Sequence, residues 1–225
     1  MAASTHMLWL PNPPDGTQCC FGFDGSESDD WTIIKGETLD GLLFTPRYGP
    51  DRRATIWNPK EWGGHIPRGE VHAAWCELFN RYRIGRVYAD PGFRDEMSWE
   101  SEIEAWDAEF GPKVFMPWSM SGSSRITAVW ASLRRFEADL KEGRLKHDGD
   151  PVTTTHVMNA RKIAKSNERY GLGKPASVGT QAYQRKIDAA VTAVLAHEAA
   201  CDARKAGWGA EPQECVLYTA SNTRY

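Results

Sequence analysis

The order of its secondary-structure signals constrains this chain more than any other feature. Three or four short strand candidates come first: Cys19–Phe23, Trp31–Lys35, Gly41–Thr45 and a last one around Ala54–Trp57, spaced as an antiparallel meander. Pro67 then opens a helix with Val71, Trp75, Leu78, Phe79 and Tyr82 at helical spacing. Arg86–Ala89 reads as a buried strand that stops at Asp90-Pro91-Gly92. A helix bearing Trp99, Ile103, Trp106 and Phe110 follows, and then a strand at Lys113–Met116. Ser123–Leu140 is the clearest amphipathic helix, with Val129, Leu133 and Phe136 on its stripe. A shorter helix is predicted from Pro151 through Ile163, a loop or hairpin over Ser166–Gly179, and a final helix over Gln181–Ala206 that ends at Gly207. Alternating helix and strand after an antiparallel meander implies an α/β fold with a mixed sheet and helices on its faces.

Composition bounds the classes. A chain of 225 residues with 41% hydrophobic and 25% charged residues can bury one sizeable core. A mean hydropathy of -0.54 and the absence of any apolar run near the roughly 20 residues that span a bilayer predict a soluble protein with no membrane partner. Five cysteines, odd in number and without a C-x-x-C pair, argue against a disulfide framework or a zinc ribbon and for a reducing compartment. Residues 1–7 resemble a cloning scar. Several of the ten tryptophans fall in loop-like sequence, as loop anchors or binding surface.

Net charge of -3 creates no global field for nucleic acid, but charge is unevenly spread. Asp15 to Asp40 holds seven acids against one base, whereas Arg125 to Lys186 holds 13 Lys/Arg against six Asp/Glu. Solvated faces account for such runs; so does a cation-binding pocket beside an anion-binding surface.

Three acids occupy special positions. Asp24 ends the first strand, Asp90 ends a central strand, and Asp188 lies near the start of the last helix. Taken singly, each reads as a turn or cap carboxylate. In open α/β sheets, however, sites form beyond the strand ends, and a terminal helix packed across the sheet brings Asp188 over the other two. Converging carboxylates need bound cations or raised pKa values, and hard ions such as Mg²⁺ or Mn²⁺ suit them. Asp29, Asp30, Asp95 and Asp150 are secondary candidates whose simpler role is in turns and caps. His147 and His156 are the histidines nearest this site, and neither has the spacing of a zinc ligand pair.

The segments Gly22-Phe23-Asp24-Gly25-Ser26, Val87-Tyr88-Ala89-Asp90-Pro91 and Lys186-Ile187-Asp188-Ala189-Ala190-Val191 resemble those of bacteriophage terminase large subunits. His147-Asp148-Gly149-Asp150-Pro151, His156-Val157-Met158-Asn159-Ala160 and Lys174 fit the same pattern. The resemblance runs over roughly Cys19 to Ala206 and is to the C-terminal nuclease domain. It implies a ribonuclease H-like fold over 8–207, with 208–225 as a tail. It also implies a divalent-metal-dependent endonuclease that cuts concatemeric viral DNA during genome packaging. Asp24, Asp90 and Asp188 would be its metal-binding and catalytic acids, with Asp24 shared between two Mg²⁺ or Mn²⁺ ions and a 5′-phosphate as product. Implied partners are double-stranded DNA, an N-terminal packaging ATPase domain, the terminase small subunit and the portal, in the host cell cytoplasm. The ATPase signature is missing, since Gly171-Leu172-Gly173-Lys174-Pro175 lacks both the spacing and the hydroxyl of a P-loop.

Arg161, Lys165, Arg169, Lys174 and Lys186 are the candidate DNA-phosphate contacts. Three alternatives remain: another ribonuclease H-like nuclease such as a junction resolvase, a noncatalytic binding module on the same fold, and an actin-like ATP-binding domain suggested by Asp24-Gly25-Ser26.

Overall fold

The computed structural model describes residues 9–26, 30–92, 98–174 and 185–209. The expectations for Asp29, Asp95, residues 1–7, residues 181–184 and most of the tail lie outside them. In chain order the strands and helices are β1 (Gln18–Asp24), β2 (Thr32–Thr38), β3 (Leu42–Phe44), β4 (Arg47–Tyr48), β5 (Arg53–Ala54), β6 (Ile56–Trp57), α1 (Arg68–Arg81), β7 (Arg83–Asp90), α2 (Glu100–Phe110), β8 (Phe115–Pro117), α3 (Ile126–Lys141), β9 (Lys146–His147), α4 (Pro151–Asn159), β10 (Arg161–Ala164), β11 (Tyr170–Gly173) and α5 (Asp188–Lys205).

The main sheet runs β8-β7-β1-β2-β3-β9, with β6 paired to β2. β1 is antiparallel to β2 and parallel to β7, and β7 is parallel to β8, so the sheet is mixed as expected. The β1–β7 register shifts between Cys19, opposite Ile84, and Cys20, opposite Arg86. Gly85 is the extra residue of this bulge, and a β-carbon there would meet the Trp208 indole at 2.3 Å.

Period-two alternation assigns the faces of β1. Cys19, Phe21 and Phe23 point into an aromatic core with Trp75 of α1, Trp99, Trp106 of α2 and Phe115 of β8. Phe23 meets Trp99 and Trp106 edge-on at centroid distances of 5.3 and 5.4 Å. Each such pair adds about 0.5–1.5 kcal/mol beyond its burial. Four tryptophans (Trp57, Trp75, Trp99 and Trp106) are thus core residues and not binding surface.

Cys20 and Gly22 face the other way, toward α5 and α3. α5 is rich in alanine, and Ala193, Ala196, Ala199 and Ala200 let it lie close to the sheet. Gly22 sets the approach: a β-carbon there would fall 2.4 Å from the Thr192 carbonyl oxygen and 2.5 Å from the Ala196 nitrogen. No described helix is long and apolar enough to cross a membrane.

Some boundaries differ from expectation. The helix predicted to reach Ile163 stops at Asn159, and β10 pairs antiparallel with β11 instead. Ala160 turns into extended backbone, and the hairpin closes through Asn167 and Glu168, both at positive φ (57° and 58°). The last helix starts at Asp188, later than predicted, because Ile187 is not helical (φ −130°, ψ 3°). β9, not foreseen, joins the far edge of the sheet beside β3.

Candidate metal centre

Asp24 and Asp90 are register partners at the carboxyl ends of adjacent parallel strands. Paired residues project to the same face, so both carboxylates emerge toward α5. Asp24 lies two residues beyond Gly22, and Asp188 one helical turn before Thr192. The contact between Gly22 and Thr192 therefore carries the first turn of α5 over the ends of β1 and β7.

Backbone donors hold two of the acids. Asp90 accepts from Gly92 N at 3.1 Å and from Met120 N at 2.9 Å. Asp188 accepts from Trp31 N at 3.2 Å. Asp24 accepts no hydrogen bond from the described residues, and Asp90 and Asp188 are buried. Burial pushes the Asp24 carboxyl well above its ordinary range, and the negative charges of Asp90, Asp188 and Asp30 push it further. Burial, and then Asp30, lift Asp188 to about 6 against the Trp31 amide. Asp90 is raised by burial, with its two amides opposing. Lys174, Lys186 and Arg125 offset this charge only in part, and three carboxylates are the donor type that suits a hard divalent ion.

Asp30 stands at the rim and is clamped by Lys174 at 2.5 Å and Lys186 at 2.8 Å. Those lysines hold its carboxyl below the ordinary range although burial works the other way. Of the five basic residues singled out from the sequence, these two adjoin the acids. The other three sit on or beside the β10–β11 hairpin. Arg161 donates to the Met158 and Ala160 carbonyls at 2.7 and 2.9 Å, closing the end of α4. Arg169 lies over the Trp130 ring. Lys165 is exposed and lines a cleft of about 300 Å³ opposite Met120 and Ser121. Met120 is the residue whose amide holds Asp90, so it borders both the cleft and the acids.

Asp150 is not at the site. It caps α4 through Val152 N at 3.0 Å and forms a buried ion pair with Lys35 at 2.8 Å. Burial alone would raise its carboxyl, but Lys35, Thr153 and Thr45 bring it down to about 2. His147 lies on the edge strand β9 and accepts from Gly149 N. His156 does adjoin the site: its Nδ1 accepts from Ala189 N at 3.1 Å, satisfying an otherwise orphan donor in the first turn of α5. Burial, then Lys35, lowers this imidazole to about 4, so it acts as a neutral acceptor. Trp31 packs on its ring at 5.0 Å. Sequence reasoning missed the amides of Trp31 and Met120, because a backbone donor has no residue-type signature.

A mixed sheet in this strand order, with acids at one end beneath a long final helix, is ribonuclease H-like, and it is the fold of phage large terminase nuclease domains. The crystal structure of the large terminase nuclease from thermophilic phage G20c with bound magnesium superposes with a TM-score of 0.55 at 16% identity, over 85% of this chain and 92% of that one. The HK97 bacteriophage large terminase gives 0.55 at 18% identity, over 84% of this chain and 40% of its own. In sequence, the Gene 13 protein of Mycobacterium phage D29 is 33% identical over 196 residues, 83% of this chain. The chain spans about 30% of the length of that relative. No protein-family model matches the chain.

Proposed function

We propose that this chain is the nuclease domain of a phage DNA-packaging terminase, a divalent-metal-dependent endodeoxyribonuclease that cuts concatemeric viral DNA. The observation that carries this reading is the pairing of Asp24 with Asp90 in register, beneath the helix that begins at Asp188. The likeness in fold to a magnesium-bound terminase nuclease supports it.

Asp24, Asp90 and Asp188 would hold the ions, Asp24 as the ligand shared between two. Bound Mg²⁺ or Mn²⁺ would supply activation of water and neutralisation of charge on the phosphodiester. The chain's own groups position the rest. The Met120 and Gly92 amides orient Asp90, and the Trp31 amide orients Asp188, so neither carboxylate must reorganise during the reaction. Lys174 and Lys186 neutralise Asp30 and present positive charge where a phosphate backbone would run. Lys165, across the cleft from Met120, extends that path. Contacts of this kind read backbone and not bases, so sequence choice would come from the packaging complex: the ATPase motor, the small subunit and the portal, in the host cytoplasm.

The test is nicking of supercoiled plasmid in Mn²⁺ or Mg²⁺. Wild type should nick, and Asp24→Asn should not, with its circular dichroism spectrum unchanged. Nicking by the Asp24→Asn protein, or undiminished nicking in excess EDTA, would reject the assignment. DNA binding without any metal-stimulated cleavage would instead indicate the noncatalytic module.

A further inference from the structure

A second cluster of metal-ligating side chains lies about 14 Å farther along α5 from Asp188, nine residues at the helical rise. His197 and Cys201 stand one turn apart on α5, and Asp139 faces them from α3. The His197 Nε2 atom is 3.1 Å from Asp139 Oδ2 and 3.5 Å from Cys201 Sγ. Around one tetrahedral Zn²⁺, with bonds of about 2.0–2.3 Å, nitrogen–oxygen and nitrogen–sulfur edges come to about 3.3–3.6 Å.

From this geometry we infer that Asp139, His197 and Cys201 form a zinc site, separate from the nuclease acids, that ties α3 to α5. The surroundings have the form such a site needs. His197 Nδ1 lies 2.8 Å from Glu37 Oε2, a fully buried carboxylate that fixes the ring with Nε2 toward the other two ligands. Asp139 Oδ1 is held by Arg144, which leaves Oδ2 free to face His197. Arg204 lies 3.6 Å from Cys201 Sγ and borders the same cavity. The three ligands border a cavity of about 390 Å³, room for water at the fourth position. Zinc would replace the Nε2 proton of His197 and the thiol proton of Cys201, two charges for two, so the balance with Glu37, Arg144 and Arg204 is unchanged. Metal and imidazolium are therefore alternative bridges between the same carboxylates.

The same histidine–cysteine spacing recurs on α1 as His72 and Cys76 beside Glu109, and there the arrangement differs. Cys76 faces His72 Nε2 at 3.5 Å, but Glu109 is nearest Nδ1, at 3.9 Å, and Nδ1 already accepts the Trp106 indole. The ligands do not gather at one nitrogen.

The experiment uses the full chain carrying Asp24→Asn, Asp90→Asn and Asp188→Asn, which removes the nuclease acids as competing ligands. Titration with Co²⁺ should produce a sulfur-to-cobalt charge-transfer band at one equivalent, bleached by Zn²⁺. Cys201→Ser should abolish the band, Cys76→Ser should keep it, and Glu37→Gln should weaken zinc affinity by about 10–100-fold. Zinc-edge X-ray absorption on the parent protein should show one sulfur among nitrogen and oxygen ligands, a readout independent of whether any variant folds. A sulfur-free shell, or a cobalt band that survives Cys201→Ser, would overturn the site and leave the cluster as an ion-pair network.

Discussion

Thr192 and Gly22 touch so closely that the helix carbonyl occupies the space of a β-carbon, 2.4 Å from where one would sit. The contact fixes the height of α5 above β1, and with it the position of Asp188 over Asp24. Gly22→Val should cost at least about 1–3 kcal/mol, the usual penalty for overpacking. It should also weaken Mn²⁺ binding. Gly69→Ala, which meets nothing within 4 Å in α1, is the control and should stabilise by up to about 1 kcal/mol. Urea denaturation and metal titration of both proteins check this.

Mutual repulsion among the acids makes an opposite expectation for Asp24. Its carboxyl is raised by burial and by Asp90 and Asp188, so the charged form strains the metal-free protein. Asp24→Asn should melt at or above the wild-type temperature in EDTA, yet lose the stabilisation that Mg²⁺ or Mn²⁺ gives the wild type. Thermal unfolding with and without metal measures both.

Asp188 contributes a pH dependence of definite sign. Its carboxyl is at about 6 when folded and near its ordinary 3.8 when unfolded, so the native state binds the proton more tightly. The contribution of this group should therefore fall as pH rises from about 4 to about 6. His156, lowered to about 4, works the other way, so the limb is read as the difference between wild type and Asp188→Asn. Saturating Mg²⁺ should flatten that limb, since the ion binds the charged form. Chemical denaturation across that range, with and without Mg²⁺, reads the difference.

Lys35 and Asp150 form a buried pair away from the acids, and it anchors α4. Lys35→Met leaves the Asp150 charge buried and unpaired, at a cost of about 3–5 kcal/mol. Lys35→Met combined with Asp150→Leu should recover most of that loss. Plasmid nicking by the folded fraction should be retained, which separates this pair from the proposed metal ligands.

Lys165 should contribute to DNA affinity alone. Lys165→Ala should weaken binding evenly across sequences and lower the salt slope by about 1, with Mn²⁺ affinity unchanged. Fluorescence anisotropy at several salt concentrations gives the slope.

The strand-end positions of Asp24 and Asp90 were legible because a charged residue there breaks an apolar pattern, whereas Asp188 was expected near the start of a helix beginning at Gln181 and not at its first residue. Asp24 and Asp90 close two short buried runs, and Asp188 opens a long helix. Strand pairing then did the rest, since parallel neighbours share a face. The role of Asp150 could not be read the same way: its partner Lys35 is 115 residues distant, inside a strand where a lysine looks like surface. The Glu37–His197 contact spans 160 residues and was hidden for the same reason. The end of α4 was misjudged because Arg161–Ala164 is short, exposed and without clear period, so only its pairing with Tyr170–Gly173 reveals a strand.

The bulge at Gly85 decides which way Asp90 looks. Were Gly85 paired in step and not bulged out, the pairing Cys19–Ile84 would continue and deliver Ala89 opposite Asp24. Asp90 would move one place on and lose its partner. Removing Gly85 would take away the bulge yet keep Asp90 opposite Asp24, whereas one more residue paired in step early in β7 would part the two acids without touching either. Residue identity alone is therefore an insufficient guide to whether the two acids still face each other in distant relatives of this chain.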